Sequence, residues 1–157
     1  NITPYGTEAM HVLRAEKGYI IVGQETDGSV TPVDLDMNWI VSKKKYDFIG
    51  KRALIRSDTV KEDRKQLVGI LTVDPSIVLE EGSQLVEVET SLPMPMVGHI
   101  TSSYYSPNLG RSIALALVKS GTKKKGVKLI VPTVNSSVEV EITNPVFIDP
   151  ENERLMA

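Results

Sequence analysis

Few side chains in this chain are equipped for chemistry, and the most informative is a carboxylate in an apolar position. Ala9, Val12, Leu13 and Glu16 recur at i, i+3, i+4 and i+7, so Glu16 continues the helix face that Val12 and Leu13 are expected to bury. A carboxylate there needs a partner. Arg14 stands only two positions away and is poorly placed on the helix to serve. Two partners stay open on the residues alone. One is an Arg or Lys from elsewhere in the chain; the other is a buried hydrogen-bond donor, and a planar heterocycle with adjacent N–H groups would satisfy both oxygens.

The rest of the inventory mostly excludes. His11 and His99 are the two histidines. His11 reads as a hydrogen-bonding group on the Arg14 side of the helix, and His99 as an inter-strand hydrogen bond. There is no cysteine, which removes disulfides, thiolate nucleophiles and cysteine-ligated zinc or iron–sulfur clusters, and suits a reducing cytoplasm. No GxGxxG, Walker loop, HExxH or GxSxG occurs, so nucleotide-phosphate, zinc-protease and serine-hydrolase readings have nothing to rest on.

The elements that must position Glu16 follow from periodicity. Thr7 is the expected N-cap of the first helix, and Lys17 followed by Gly18 is its stop. YIIV, 19–22, reads as a short buried strand and GQETDGSVTP, 23–32, as a loop. A second helix is expected from Asp47, turning Phe48, Ala53, Leu54 and Ile55 toward a core, with Gly50 weakening it by about 1 kcal/mol relative to Ala. KEDRK, 61–65, reads as a domain boundary. From Gln66 the period becomes two: QLVGILTVD, QLVEVE, MVGHITSSYYS, RSIALALVK, VKLIVP and VEVEIT are short strands separated by turn residues. The expected fold is an α+β remnant over 1–64, followed over 65–157 by a mainly antiparallel, Greek-key-like β-barrel of about six strands. VEVEIT alternates cleanly, so one of its faces should be wet.

With 157 residues, 41% of them hydrophobic, the chain can bury a substantial core and reads as soluble and globular. A net charge of −2 gives no reason to expect nucleic acid or an anionic membrane as partner. No apolar run approaches the ~20 residues that span a bilayer. A start at Asn1 rather than Met reads as a piece of something longer. In that case residues 1–60 should expose apolar area that upstream residues normally cover, and the isolated piece should self-associate.

GTEAMHVLRAEKGYIIVGQETDGSVTPVDLDMNWIVSKKKYDFIGKRAL, 6–54, and GHITSSYYSPNLGRSIALALV, 98–118, resemble the aminomethyltransferase superfamily, which includes the glycine-cleavage T-protein. Within it, GTEAMHVLRAEKG, VGQETDGSVTP and NPVFIDPENERL are most similar to the C-terminal end of the α subunits of heterotetrameric sarcosine oxidases. The resemblance implies that 1–64 is the end of a tetrahydrofolate-binding domain in which Glu16, preceded by Arg14, holds the pterin ring. It places Lys45 where T-proteins have a basic residue near the folate; Lys in place of Arg loses the bidentate fork. Met10 and His11 stand where T-proteins have an arginine–aspartate pair, so that pair's role does not transfer. The family's catalytic aspartate would lie upstream of Asn1, leaving no catalytic residue in this segment. FAD, FMN and NAD are expected outside it, and the expected partners are upstream domains of the same subunit and β, γ and δ subunits.

The implied function is oxidative demethylation of sarcosine to glycine, with the one-carbon unit passed to tetrahydrofolate as 5,10-methylenetetrahydrofolate. The segment alone should bind folate weakly and turn nothing over. Three other readings are open. A glycine-cleavage T-protein is one. A second is a folate-binding protein of iron–sulfur maintenance, whose KGCYxGQE is echoed by KGYIIVGQE without the cysteine. The third is a docking barrel that meets its partners through Tyr104 and Tyr105.

Overall fold

The computed structural model describes residues 2–87, 92–134 and 136–156. Its first element is a helix, α1, at Thr7–Glu16, with Glu8 in the first turn and Arg14 in the last, both favourable to the helix dipole. Thr7 is the first helical residue rather than the N-cap. Gly6 occupies the cap and offers no side chain to it. The stop is where the sequence puts it. Gly18 adopts a φ of 72°, and a Cβ there would lie 2.6 Å from the Pro145 carbonyl oxygen, so both conformation and space require glycine.

Six strands follow: β1 Lys65–Thr72, β2 Gln84–Leu85, β3 Gly98–Ser106, β4 Arg111–Lys119, β5 Lys128–Pro132 and β6 Ser137–Thr143. Every pairing is antiparallel, in the order β2-β3-β4-β1-β6-β5. Val86 and Ile130 exchange backbone hydrogen bonds of 2.9 Å in both directions, joining β2 to β5 and closing the barrel. Because β1 lies beside β4, the first four strands have Greek-key order. The expected strand 84–89 is present at its start; residues 88 and 89 lie outside the described residues.

The barrel interior is filled by Val68, Ile70, Leu85, Ile100, Ala116 and Ile142, among others. A second cluster lies outside the wall, where Leu67, Leu115 and Leu117 meet Leu35, with Ile20 and Phe147 packed against them. β4 is therefore covered on both faces, which is why RSIALALVK is a continuous apolar run while VEVEIT alternates. In β6, Val140 and Ile142 are buried, and Glu139 and Glu141 face water.

Two expected elements do not form. YIIV makes no strand beyond a single bridge between Val22 and Thr26. Its backbone turns back instead, with Tyr19 N–H donating to the Arg14 carbonyl and both Gln24 and Glu25 N–H to that of Ile21. The helix from Asp47 reduces to a 3-10 segment at Lys51–Ile55. Gly50 takes a φ of 93°, outside helical space, and cuts off the start. Phe48 and Leu54 are half-buried, whereas Ala53 and Ile55 are exposed, so this stretch contributes little core. Apolar exposure over 1–60 is extensive, including Tyr5, Trp39, Tyr46 and Ile49. No helix among the described residues is long and apolar enough to cross a membrane.

Candidate functional site

The junction between α1 and the barrel is built by a register change. Up to Ile100, which pairs with Ala116, the even-numbered residues of β3 face the interior. The ladder then shifts, and Ser102 pairs with Leu115, an outward-facing residue. This bulge at Thr101 reverses the phase of the strand. Ser102, Tyr104 and Ser106 consequently stand on the outer wall beneath α1, while Ser103 turns inward and accepts a hydrogen bond from Leu79 N–H at 3.1 Å.

Glu16 is 3% exposed and held by the barrel rather than by a cation. Ser106 Oγ donates to Oε1 at 2.5 Å, and Asn108 Nδ2 donates to Oε1 and Oε2 at 3.1 and 2.9 Å. Of the two partners left open by the sequence, a basic residue and a hydrogen-bond donor, the structure has the second, supplied among the described residues by side chains rather than by an outside ligand. Neutral donors of the β3–β4 turn satisfy it. Its main-chain carbonyl is also capped, accepting from Phe147 and Ile148 N–H at 2.9 and 3.0 Å.

Arg14 belongs to a separate network. Its guanidinium donates to Glu25 Oε2 at 3.0 Å, Gln24 Oε1 at 2.9 Å and Ser102 Oγ at 2.6 Å. Glu25, with no exposed surface, also accepts from Ile21 N–H at 2.8 Å and Ser102 Oγ at 2.5 Å. Tyr104 lies against the Arg14 guanidinium, 5.7 Å from ring centroid to Cζ, with His11 packed at its edge. Arg14 Nε is buried without a hydrogen-bond partner among the described residues. The network clamps α1 and the 21–25 turn to β3.

Leu13, expected in the core, is 49% exposed and Met10 42%. Together with Glu16, Arg14 and Asn108 they line an open cavity of about 520 Å³ between α1 and the C-terminal segment, which contributes Ile148 and Arg154. Of the stripe, Leu13 and Glu16 line this cavity, while Ala15 is the helix residue buried in the core. At the rim Lys17 donates to Asp149, whose pKa stays below the usual aspartate value: partial desolvation opposes ionisation, and hydrogen bonds from Lys17 and the Arg154 backbone outweigh it.

Lys45 is not brought to this site. It lies on an exposed loop, and its backbone N–H donates to Ser42 Oγ at 3.3 Å. His99 sits elsewhere, its Nδ1 3.4 Å from Lys65 Nζ, and burial together with that lysine pushes its pKa down. Tyr104 is committed to the Arg14 network, while Tyr105 is 46% exposed. No cluster of potential metal ligands occurs among the described residues. The arrangement can bind and orient a ligand through an acceptor edge set in an apolar wall. Glu25, Ser102, Ser106 and Asn108 are site residues that sequence reasoning misses. The serines of TSSYYS, in an otherwise apolar strand, are the visible signal.

The description "Glycine cleavage T-protein C-terminal barrel domain" matches residues 65–149, and "GCVT N-terminal domain" matches residues 1–45. The first spans more than half of the chain, which belongs to this glycine-cleavage T-protein family. Among curated relatives, sarcosine oxidase subunit alpha of Corynebacterium sp. (strain P-1) is 55% identical over 98% of this chain and 16% of its own length. The aminomethyltransferase of Thermotoga neapolitana is 34% identical over 92% of this chain and 37% of its own. The chain thus spans a small part of the relatives it matches. The crystal structure of glycine cleavage system aminomethyltransferase T from Bartonella henselae shares the fold, with a TM-score of 0.75 and 22% identity over 89% of this chain and 38% of that one. The similarity to sarcosine oxidase α subunits and to the T-protein superfamily agrees with the motifs read from the sequence.

Proposed function

We propose that this chain is a tetrahydrofolate-binding segment of a sarcosine oxidase α subunit, with Glu16 as the residue that reads the pterin ring. The observation that carries it is the placement of Glu16: a buried carboxylate, oriented by two neutral donors, on the wall of a cavity sized for a cofactor. The similarity to sarcosine oxidase subunit alpha supports the choice of enzyme. The residues fit such a ligand, since Oε1 already accepts two hydrogen bonds and Oε2 one, which leaves Oε2 able to accept an N–H.

Tetrahydrofolate supplies the nitrogen nucleophiles that take up a one-carbon unit at the formaldehyde level. This chain's residues bind and orient. Glu16 fixes the ring edge, the exposed apolar side chains of Met10 and Leu13 cover one face, and Arg14 keeps α1 seated on the barrel. Held in one pose, the acceptor meets the incoming carbon without the entropy cost of a second encounter. In this reading the reaction is oxidative demethylation of sarcosine in the cytoplasm. FAD, FMN, NAD and the catalytic aspartate are supplied by upstream domains and by β, γ and δ subunits, and the isolated segment is inactive. Lys45 would approach the folate only through those partners.

The test is product partition in the assembled enzyme supplied with sarcosine and tetrahydrofolate. Glu16→Gln should shift product from 5,10-methylenetetrahydrofolate to free formaldehyde while sarcosine consumption continues. Parallel loss of sarcosine consumption would make Glu16 a purely structural residue.

A further inference from the structure

We propose that the cleft between the barrel wall and the 27–30 loop is a binding site for inorganic hydrogen phosphate, held by Lys65 and His99 and guarded against sulfate by Asp27. The site shares no lining residue with the α1 cavity and does not rest on the folate reading. It is a cavity of about 260 Å³ in which Leu117 of β4 lies between Lys65 of β1 and His99 of β3, and Asp27, Ser29 and Arg64 complete the lining.

The barrel register assembles the positive side. Lys65 lies directly opposite Lys119 in the β1–β4 ladder, and His99 opposite Leu117 in the β3–β4 ladder. Directly paired residues share a face of the sheet, so the two lysines stand side by side on the outer wall, which costs stability in the absence of a counterion. Neither forms an ion pair among the described residues, whereas Lys17, Lys123, Lys124 and Lys128 do. Lys65 Nζ is 3.4 Å from His99 Nδ1, and burial together with that lysine holds His99 below the usual histidine range against the opposing pull of Asp27. The ring is therefore neutral near pH 8, with Nδ1 accepting from the ammonium and Nε2 carrying the N–H. Two fixed positive charges beside a neutral N–H donor suit a dianionic oxyanion. Arg64 has a different task. Its guanidinium is bonded to Asp34 and donates through Nη2 to the Ser29 carbonyl at 2.6 Å, which holds the loop against the barrel.

Asp27, on the exposed loop at the rim, sets the selectivity. Its pKa lies below the usual aspartate value because Ser29 Oγ and Ser29 N–H both donate to Oδ1, each at 2.7 Å. The carboxylate is thus ionised and only accepts, and Oδ2 retains acceptor capacity. A fully ionised tetrahedral anion meets that oxygen with another acceptor and is repelled, whereas hydrogen phosphate keeps one P–OH to donate to it. Sulfate has no such proton near neutral pH. A phosphomonoester has lost its own near pH 8, since its second pKa is about 6.

The test treats the assembled enzyme with diethyl pyrocarbonate near pH 8 at constant ionic strength, in sodium chloride alone or with inorganic phosphate, sulfate or glycerol 2-phosphate. Carbethoxylation is read peptide by peptide in a mass spectrometer, with His11 as the internal reference. With a Kd of about 1–5 mM, phosphate at about 10 mM should slow His99 at least about threefold relative to His11, because protection follows 1 + [L]/Kd. Sulfate and glycerol 2-phosphate should leave His99 within about 1.5-fold of its rate in sodium chloride. Asp27→Asn should let sulfate protect as well as phosphate does, and Lys65→Met should abolish protection by either. Failure of phosphate to protect, equal protection by sulfate or the ester in the parent enzyme, or an Asp27→Asn enzyme that still distinguishes the two anions overturns the inference. A His99 that does not react in phosphate-free enzyme marks a site closed to solutes and overturns it as well. The comparison of phosphate with sulfate in the parent enzyme needs no variant, so a substitution that fails to fold leaves the test decisive.

Discussion

Arg14 and Glu25 form an ion pair at 3.0 Å in which Glu25 is fully buried and Arg14 is 9% exposed. Ser102 bonds both partners, donating to Glu25 and accepting from Arg14, so three elements that are distant in sequence meet in one polar knot. Breaking one side of such a pair leaves a buried charge uncompensated. Arg14→Met should cost about 3–5 kcal/mol of unfolding free energy in urea, and Arg14→Met combined with Glu25→Leu should recover much of it. A loss below about 1 kcal/mol for the single change would show that the pair is solvated in solution.

Gly18 is a second point of weakness. Gly18→Ala should destabilise by about 1–3 kcal/mol, because alanine is strained at the positive φ and its Cβ meets the Pro145 carbonyl. Gly6 lies at a φ of −86°, and a Cβ added there would meet nothing within 4 Å. Gly6→Ala is the control and should change the thermal midpoint far less.

Asp34 links stability to pH. Burial opposes its ionised form, but hydrogen bonds from Arg64 and Thr31 prevail and hold its pKa below the usual aspartate value. A depressed folded pKa contributes stability that is present above the unfolded value of about 3.9 and is lost as pH falls through the folded one. Asp34→Asn should therefore lower stability at neutral pH and flatten the acid limb of the stability curve. An unaltered acid limb would assign that transition to other carboxylates.

The exposed apolar side chains of 1–60 predict concentration-dependent self-association of the isolated segment. Light scattering should show species larger than monomer as concentration rises, with Trp39→Ser and Ile49→Ser reducing it. A strict monomer at every concentration would contradict this.

Much of the barrel is legible in sequence because a two-residue period leaves little choice. The alternation of β6 reads directly, whereas the burial of β4 on both faces emerges only from the outer cluster around Leu35. Glu16 is legible as an anomaly on an apolar face, but its donors are not. Ser106 and Asn108 lie some ninety residues away, and only the bulge at Thr101 turns Ser106 outward. A strict period of two would have sent it into the barrel. The helix expected from Asp47 fails for a local reason, the positive φ of Gly50. YIIV fails as a strand because its backbone hydrogen bonds go to α1 and to its own turn. Lys45 is placed by family resemblance alone, and nothing in its loop ties it to the cavity.

The most direct test of the central claim is calorimetric titration of folinic acid into the assembled enzyme with Glu16 or Gln at position 16. Replacing the carboxylate by an amide keeps the shape but faces a ligand N–H with an NH2 group. The expected loss is about 1–3 kcal/mol of binding free energy, recorded beside a melting temperature that also falls, because the new NH2 faces the Asn108 amide as well. Folinic acid affinity equal to that of the parent enzyme would contradict the assignment of Glu16 as the ring-reading residue.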